Sequence, residues 1–246
     1  MDISFTQPLS PERQAQVLGS SKVRRWLAAI RAAFDVSSVT FDAAYFFGPN
    51  TGYVMARAEA TLAGRRVPGL ALIRGGSVGV KLDLITPDGK RHTVLTVQPR
   101  LPIGDAASVE ILAGMVDEGV FRSKALDEIS EEIGEDISVA AEDLVPLAAF
   151  HPSPGGCDET IHLCLVEKHV THDLIRSLEG RQTGAPGENE AITVMVVDND
   201  ELPVVAAADG KSLLAYYTHM AQMGLVARPA IGTRVEDSPA AQPPLH

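Results

Sequence analysis

Between residues 10 and 34 apolar side chains recur at helical spacing, through Val23, Trp26, Leu27, Ile30 and Phe34. The spacing predicts one amphipathic helix, with Ser20 or Ser21 available as a cap. From Val39 to Val97 the pattern changes to short β-rich runs, at Val39 to Phe47, Tyr53 to Leu62, Val67 to Ile73, Val78 to Ile85 and Thr93 to Val97. Gly48-Pro49-Asn50, Ala63-Gly64-Arg65 and Pro87-Asp88-Gly89 separate three of the pairs, and such turn formers predict a run of antiparallel hairpins.

The second half alternates in type. Ser123 to Ile133 reads as a helix, Leu144 to Phe150 and Thr160 to Val166 as strands, Asp173 to Leu178 as a short helix, Ile192 to Val197 as a strand and Ser212 to Met223 as a helix. An α/β fold follows, a mixed sheet under helices, with an N-terminal helix and antiparallel β region in front of it. The expected division is residues 1–75 for that first region, 76–227 for the main domain and 228–246 for a mobile tail rich in proline and alanine. No internal repeat is present.

The helix near residue 128 carries the candidate chemistry. Glu128, Glu131 and Glu132 stand at i, i+3 and i+4, which puts three carboxylates on one face. Left alone they repel, by roughly a few tenths of a kcal/mol per pair, whereas a hard divalent cation turns them into oxygen ligands. Leu126, Ile129 and Ile133 lie on another face and would fix the helix against the core, with Gly134 as its stop.

The segment from Gly114 to Gly134 resembles the Nudix box, a glycine loop leading into a helix that ends in Glu-Glu-x-Gly. Glu128, Glu131 and Glu132 match its three metal-associated glutamates. Val120 stands where the family has a loop glutamate, and Asp127 where it has an arginine. Further segments in the same order extend the likeness to roughly residues 67–226. Val97-Gln98-Pro99-Arg100 and Val109-Glu110-Ile111-Leu112-Ala113-Gly114 resemble the arginine strand and Glu-Leu-Pro-Ala-Gly segment of the ADP-sugar pyrophosphatase branch. Pro152-Ser153-Pro154-Gly155-Gly156-Cys157-Asp158-Glu159 is similar to its Ser-Pro-Gly element, and Gly184 to Glu190 to its mobile catalytic loop. The plant-type ADP-sugar diphosphatases share the Gly-Gly-Cys-Asp-Glu run and a Gly-x-x-Thr-Gly, here Gly180 to Gly184.

The resemblance implies an α/β/α sandwich and metal-dependent hydrolysis of a nucleoside diphosphate sugar, ADP-ribose or ADP-glucose, to a nucleoside monophosphate and a sugar phosphate. The alternatives are a UDP-sugar or other nucleoside diphosphate substrate, or a nucleotide-binding sensor on the same fold. It also implies a homodimer in which the N-terminal β region helps to form the dimer and the base pocket. Glu128, Glu131, Glu132 and the backbone carbonyl of Ala113 would hold Mg²⁺ or Mn²⁺. Arg100 would grip phosphate as a planar bidentate donor, while Glu110 and Glu159 complete the outer shell. Glu190 is the preferred general base and Glu188 the second candidate, since a loop glutamate can meet the attacking water in a closed state.

Other features add bounds. With 246 residues and a net charge of −11, the chain lacks the clustered cations that nucleic acid or anionic lipid would require. No apolar run is long enough to span a bilayer, and Met1 to Phe5 lack the basic-then-apolar order of a secretory leader. A cytoplasmic protein is expected, with an organelle as the other intracellular setting. Cys157 and Cys164 read as reduced thiols. His92, His151 and His162 read as strand or surface histidines, and Trp26, Tyr45, Phe46, Phe47 and Tyr53 as core aromatics with a base-stacking platform as the alternative. Arg74-Gly75-Gly76-Ser77-Val78-Gly79 reads as a turn, because it lacks the lysine and hydroxyl of a phosphate loop.

Overall fold

The computed structural model describes residues 1–116, 121–134, 136–183 and 191–225, without the side chains of Phe121, Arg122 and Glu128. The tail expected over 228–246 lies outside the described residues. In chain order the main elements begin with β1 (Asp2–Phe5), α1 (Pro11–Gly19), α2 (Ser21–Ala33), β2 (Asp35–Phe47), β3 (Asn50–Leu62), β4 (Arg65–Arg66) and β5 (Leu70–Ile73). They continue with β6 (Gly76–Ile85), β7 (Arg91–Arg100), β8 (Asp105–Val116), α3 (Phe121–Ile133), β9 (Val145–Phe150), β10 (Ile161–His169) and α4 (His172–Leu178). The last are β11 (Gln182–Thr183), β12 (Ile192–Asp198), α5 (Leu202–Val205) and α6 (Gly210–Gln222).

Two sheets result. In the first, β1 pairs in parallel with β2, β2 runs antiparallel to β3, and β3 pairs with both β4 and β5. Val17, Val23 and Leu27 pack with Val39, Phe41, Val54, Ala56 and Ile73 to form its core. The second sheet has seven strands in the order β11-β12-β7-β8-β6-β10-β9. It is mixed, because β10 lies parallel to β6 while β7 and β8 oppose it.

Strand β6 is buried on both faces, and its residues alternate between an apolar core and a face that carries Ser77, Gly79, Lys81 and Asp83. Val78, Val80, Leu82 and Leu84 join Ala125, Ile129 and Ile133 of α3 and the flanking Leu174 and Ile175 of α4. On the other face Leu95, Ile111 and Leu163 pack with Leu202 and Ala206 at α5 and Ala215 of α6. Helices therefore cover both faces of the mixed sheet, an α/β/α sandwich.

Two expectations are corrected. The single helix over 10–34 is two helices, because Ser20 adopts extended backbone (ψ 142°) between them. Its N–H donates to the carbonyls of Gln16 and Val17, and its hydroxyl to Val17, so the serine ends α1 and leads into α2. The β-rich runs do not form one series of hairpins, since β5 and β6 belong to different sheets. Among the aromatics, Trp26 and Phe46 pack on the first core, but Tyr45 and Phe47 are exposed. Among the described residues no helix is long and apolar enough to cross a membrane.

Candidate active site

Strand β8 and helix α3 frame the candidate site. Ala113 lies opposite Gly79 in the β6–β8 ladder, and Met115 lies opposite Ser77. The strand ends at Val116, and α3 returns over the sheet with Ala125, Ile129 and Ile133 buried beneath it. The acidic residues of α3 differ in setting. Glu131 is 47% exposed and has Lys124 Nζ 3.6 Å away, whereas Glu132 is 3% exposed. Asp127 points to solvent. Gly134, at φ +87°, ends the helix as its position predicts, and its N–H donates to Ser130. The side chain of Glu128 lies outside the described residues, as do Val120, Glu188 and Glu190.

At the start of β6 the Gly-Gly-Cys-Asp-Glu run forms a strap between the two sheets. The N–H of Leu72 donates to Gly156, and the N–H of Asp158 to Leu72, at 2.8 and 3.2 Å. Asp158 accepts from the backbone N–H groups of Arg74 and Gly75 at 2.7 and 3.1 Å, fixing the turn between sheets. Glu159 is buried and takes a hydrogen bond from the Ser77 hydroxyl at 2.8 Å. Its second oxygen lies 3.1 Å from Nη1 of Arg74, whose guanidinium sits 5.8 Å over the Tyr53 ring. The Arg74 to Gly79 segment is thus more than a turn, because it supplies both partners of Glu159. Burial pushes the nearby Cys157 thiol up, away from the reactive thiolate.

Arg100 and Glu110 meet across β7 and β8. Nε and Nη2 of Arg100 donate to the two carboxylate oxygens at 2.5 and 2.9 Å, a planar two-point contact. A residue from α6 completes the group: Lys211 Nζ donates to Glu110 Oε2 at 2.5 Å and to Asp209 Oδ1 at 3.0 Å. Burial alone would push Glu110 up, but Arg100 and Lys211 outweigh it and hold the carboxyl below its ordinary range. A cavity of about 230 Å³ lies beside the group, lined by Arg100, Ser108, Glu110 and Asp209 among others.

A separate polar cluster lies on the α6 face of the sheet. Lys81 is fully buried and donates to both oxygens of Asp83 at 2.5 and 2.6 Å and to Asn199 Oδ1 at 2.7 Å. Three acceptor oxygens require all three protons of an ammonium. Arg91 donates to Asp83 and Glu167, and Thr93 to Asp83 and Asn199. Asp83, Glu167 and His219 lie within 4.8 Å of one another, a spacing that could suit a cation, but the ammonium and guanidinium already neutralise these carboxylates. Burial, and then Lys81, hold the His219 imidazole below its usual range.

Sequence reading names Arg100, Glu110 and Glu159; the structure sets Arg74 and Ser77 against Glu159 and Lys211 against Glu110, pairings that the sequence reading does not name. The two charges of Lys81 and Asp83, two apart in an apolar strand, were the visible sign of the buried cluster.

The arrangement has relatives. The chain is 33% identical over 234 residues to Nudix hydrolase 14, chloroplastic, of Arabidopsis thaliana, covering 87% of this chain and 74% of that protein. The chain belongs to the Nudix hydrolase family. It is accordingly a hydrolase. No family model matches the chain. A solved structure described as the crystal structure of ADP compounds hydrolase superposes with a TM-score of 0.54 over 78% of this Nudix chain and 97% of its own, at 14% identity. That likeness concerns the fold.

Proposed function

We propose that this Nudix hydrolase cleaves the diphosphate of a nucleoside diphosphate sugar, ADP-ribose or ADP-glucose, releasing a nucleoside monophosphate and a sugar phosphate. The observation that carries the reading is the Glu131–Glu132 pair on α3, one carboxylate exposed and one buried, on a helix locked to β6 and β8 beside the Ala113 strand. The descriptions of the two relatives agree with it, one a Nudix hydrolase and the other a hydrolase of ADP compounds.

The donors are all oxygen, which fits Mg²⁺ or Mn²⁺. Glu128, Glu131, Glu132 and the Ala113 carbonyl would hold the ions, which when bound supply neutralisation of phosphoryl charge and a more acidic water. The rest falls to the chain. Arg100 offers its planar fork to a phosphoryl group, and without substrate Glu110 holds that fork in place. Glu159 holds Arg74, a second cation at the same end of β6 as Ser77. Glu190 removes the proton of the attacking water, with Glu188 as the second candidate. A homodimer and an intracellular setting belong to the same proposal, and the plant relative is named chloroplastic.

The test is hydrolysis of ADP-ribose, ADP-glucose and a UDP-sugar with Mg²⁺ or Mn²⁺, followed by release of nucleoside monophosphate. Glu131→Gln and Glu132→Gln should each lower kcat by about a hundredfold or more while the melting temperature stays near that of the parent. Parental turnover in both variants refutes the metal assignment. Cleavage of the UDP-sugar alone moves the substrate to the other base.

A further inference from the structure

Glu110 is nearly enclosed and carries two cations, which differ in one decisive respect. Arg100 is 40% exposed, whereas Lys211 is 13% exposed and also held by Asp209. Asp209 is itself fixed, since it caps α6 by accepting from the N–H and hydroxyl of Ser212. The same hydroxyl accepts from the N–H of Ile111 at 2.9 Å, so this end of α6 is fastened to β8 one residue from Glu110. Lys211 is therefore the fixed cation and Arg100 the one with access to solvent.

We propose that Lys211 is a positioning residue that keeps Glu110 neutralised while Arg100 leaves it for the substrate's diphosphate. A buried carboxylate with one cation holds it tightly, because departure strands an uncompensated charge. With a second cation in place the first can exchange. The adjacent cavity of about 230 Å³, lined by Arg100, Ser108 and Glu110, has room for a phosphoryl group there. This inference rests on a diphosphate substrate, and sets how readily the guanidinium is released to it.

Inorganic pyrophosphate in the presence of Mg²⁺ is the probe, titrated by calorimetry into the parent, Lys211→Met, Lys211→Arg, Glu110→Gln and the Lys211→Met/Glu110→Gln pair. Lys211→Met should bind about tenfold more weakly, and Lys211→Arg should keep parental affinity. Once Glu110→Gln is in place the effect of removing Lys211 should vanish, since the carboxylate charge that Lys211 neutralises is gone. A structural role for Lys211 would not be cancelled in this way. Equal losses with and without the Glu110→Gln change would overturn the proposal by making Lys211 a direct phosphate contact. Parental affinity in Lys211→Met, or no binding to the parent, also overturns it. If Lys211→Met does not fold, Lys211→Gln completes the cycle. A parent that binds pyrophosphate with the expected cycle but hydrolyses no nucleotide sugar refutes the substrate reading alone.

Discussion

Nη1 of Arg181 donates to the carbonyl oxygen of Ile133 at 2.9 Å, tying the residue before β11 to the last turn of the helix that carries Glu131 and Glu132. The same nitrogen lies 2.6 Å from Asp136. Carbonyls in a final helical turn lack intrahelical donors, and a cation there also complements the helix dipole.

Removing that contact should loosen the acidic end of α3. Arg181→Met is expected to cost about 1 kcal/mol, read as a lowered urea midpoint, and to weaken Mn²⁺ binding in a direct titration. An unchanged midpoint with unchanged Mn²⁺ affinity would show that the helix end is held by other means.

Lys81 allows a sharper test of buried charge. Lys81→Met leaves Asp83 facing Arg91 and neutral donors inside the sheet, and should cost about 3–5 kcal/mol in denaturant unfolding. Changing Asp83 to Leu in the same chain should recover much of that loss. A double variant as unstable as the single one would mean that packing, rather than charge, sets the cost.

His219 gives the fold a pH dependence whose direction can be stated. Its ring lies among Lys81, Arg91, Asp83 and Glu167, and in the folded protein it titrates below the ordinary 6.5. As pH falls through about 6.5 the unfolded chain takes up a proton that the folded one refuses, so stability is full above that value and declines below it. Urea unfolding between pH 8 and 5 should follow this course, and His219→Gln should flatten it. A slope unchanged by the substitution places the dependence on other groups.

Arg74 should matter for turnover more than for stability. It is partly exposed, and Arg74→Met is expected to lower kcat/KM for ADP-ribose about tenfold, mainly through KM. Arg74→Lys should recover little, because an ammonium cannot present two parallel donors to a phosphoryl group. Full activity in Arg74→Met would confine the residue to bracing Glu159.

The same distinction between near and distant partners explains what the sequence could reveal. Glu131 and Glu132 share a helix, so local spacing brings that pair into view, whereas Arg100 and Glu110 come into view only through the family resemblance, which does not show their contact across facing strands. Lys211 stands 101 positions from Glu110, and Lys81 stands 138 from His219, so only the packing of α6 introduces them. The helical pattern over residues 10–34 runs through Ser20 without interruption, because apolar spacing registers a face and not the backbone angle at one serine. Arg74 escaped notice for a related reason: its role depends on Glu159, delivered by a strap 85 positions later.

Strand β6 is hydrogen-bonded to β10 on one edge and to β7 and β8 on the other, with Lys81 and Asp83 interleaved among Val80, Leu82 and Leu84. A slip of one position would turn the ammonium and the carboxylate into the oily layer beneath Ile129 and Ile133 while exiling the valine and leucines to the polar side. Misaligned sheets are thereby made costly during assembly, and the charge pair acts as a proofreading mark for the strand on which the whole sandwich is threaded.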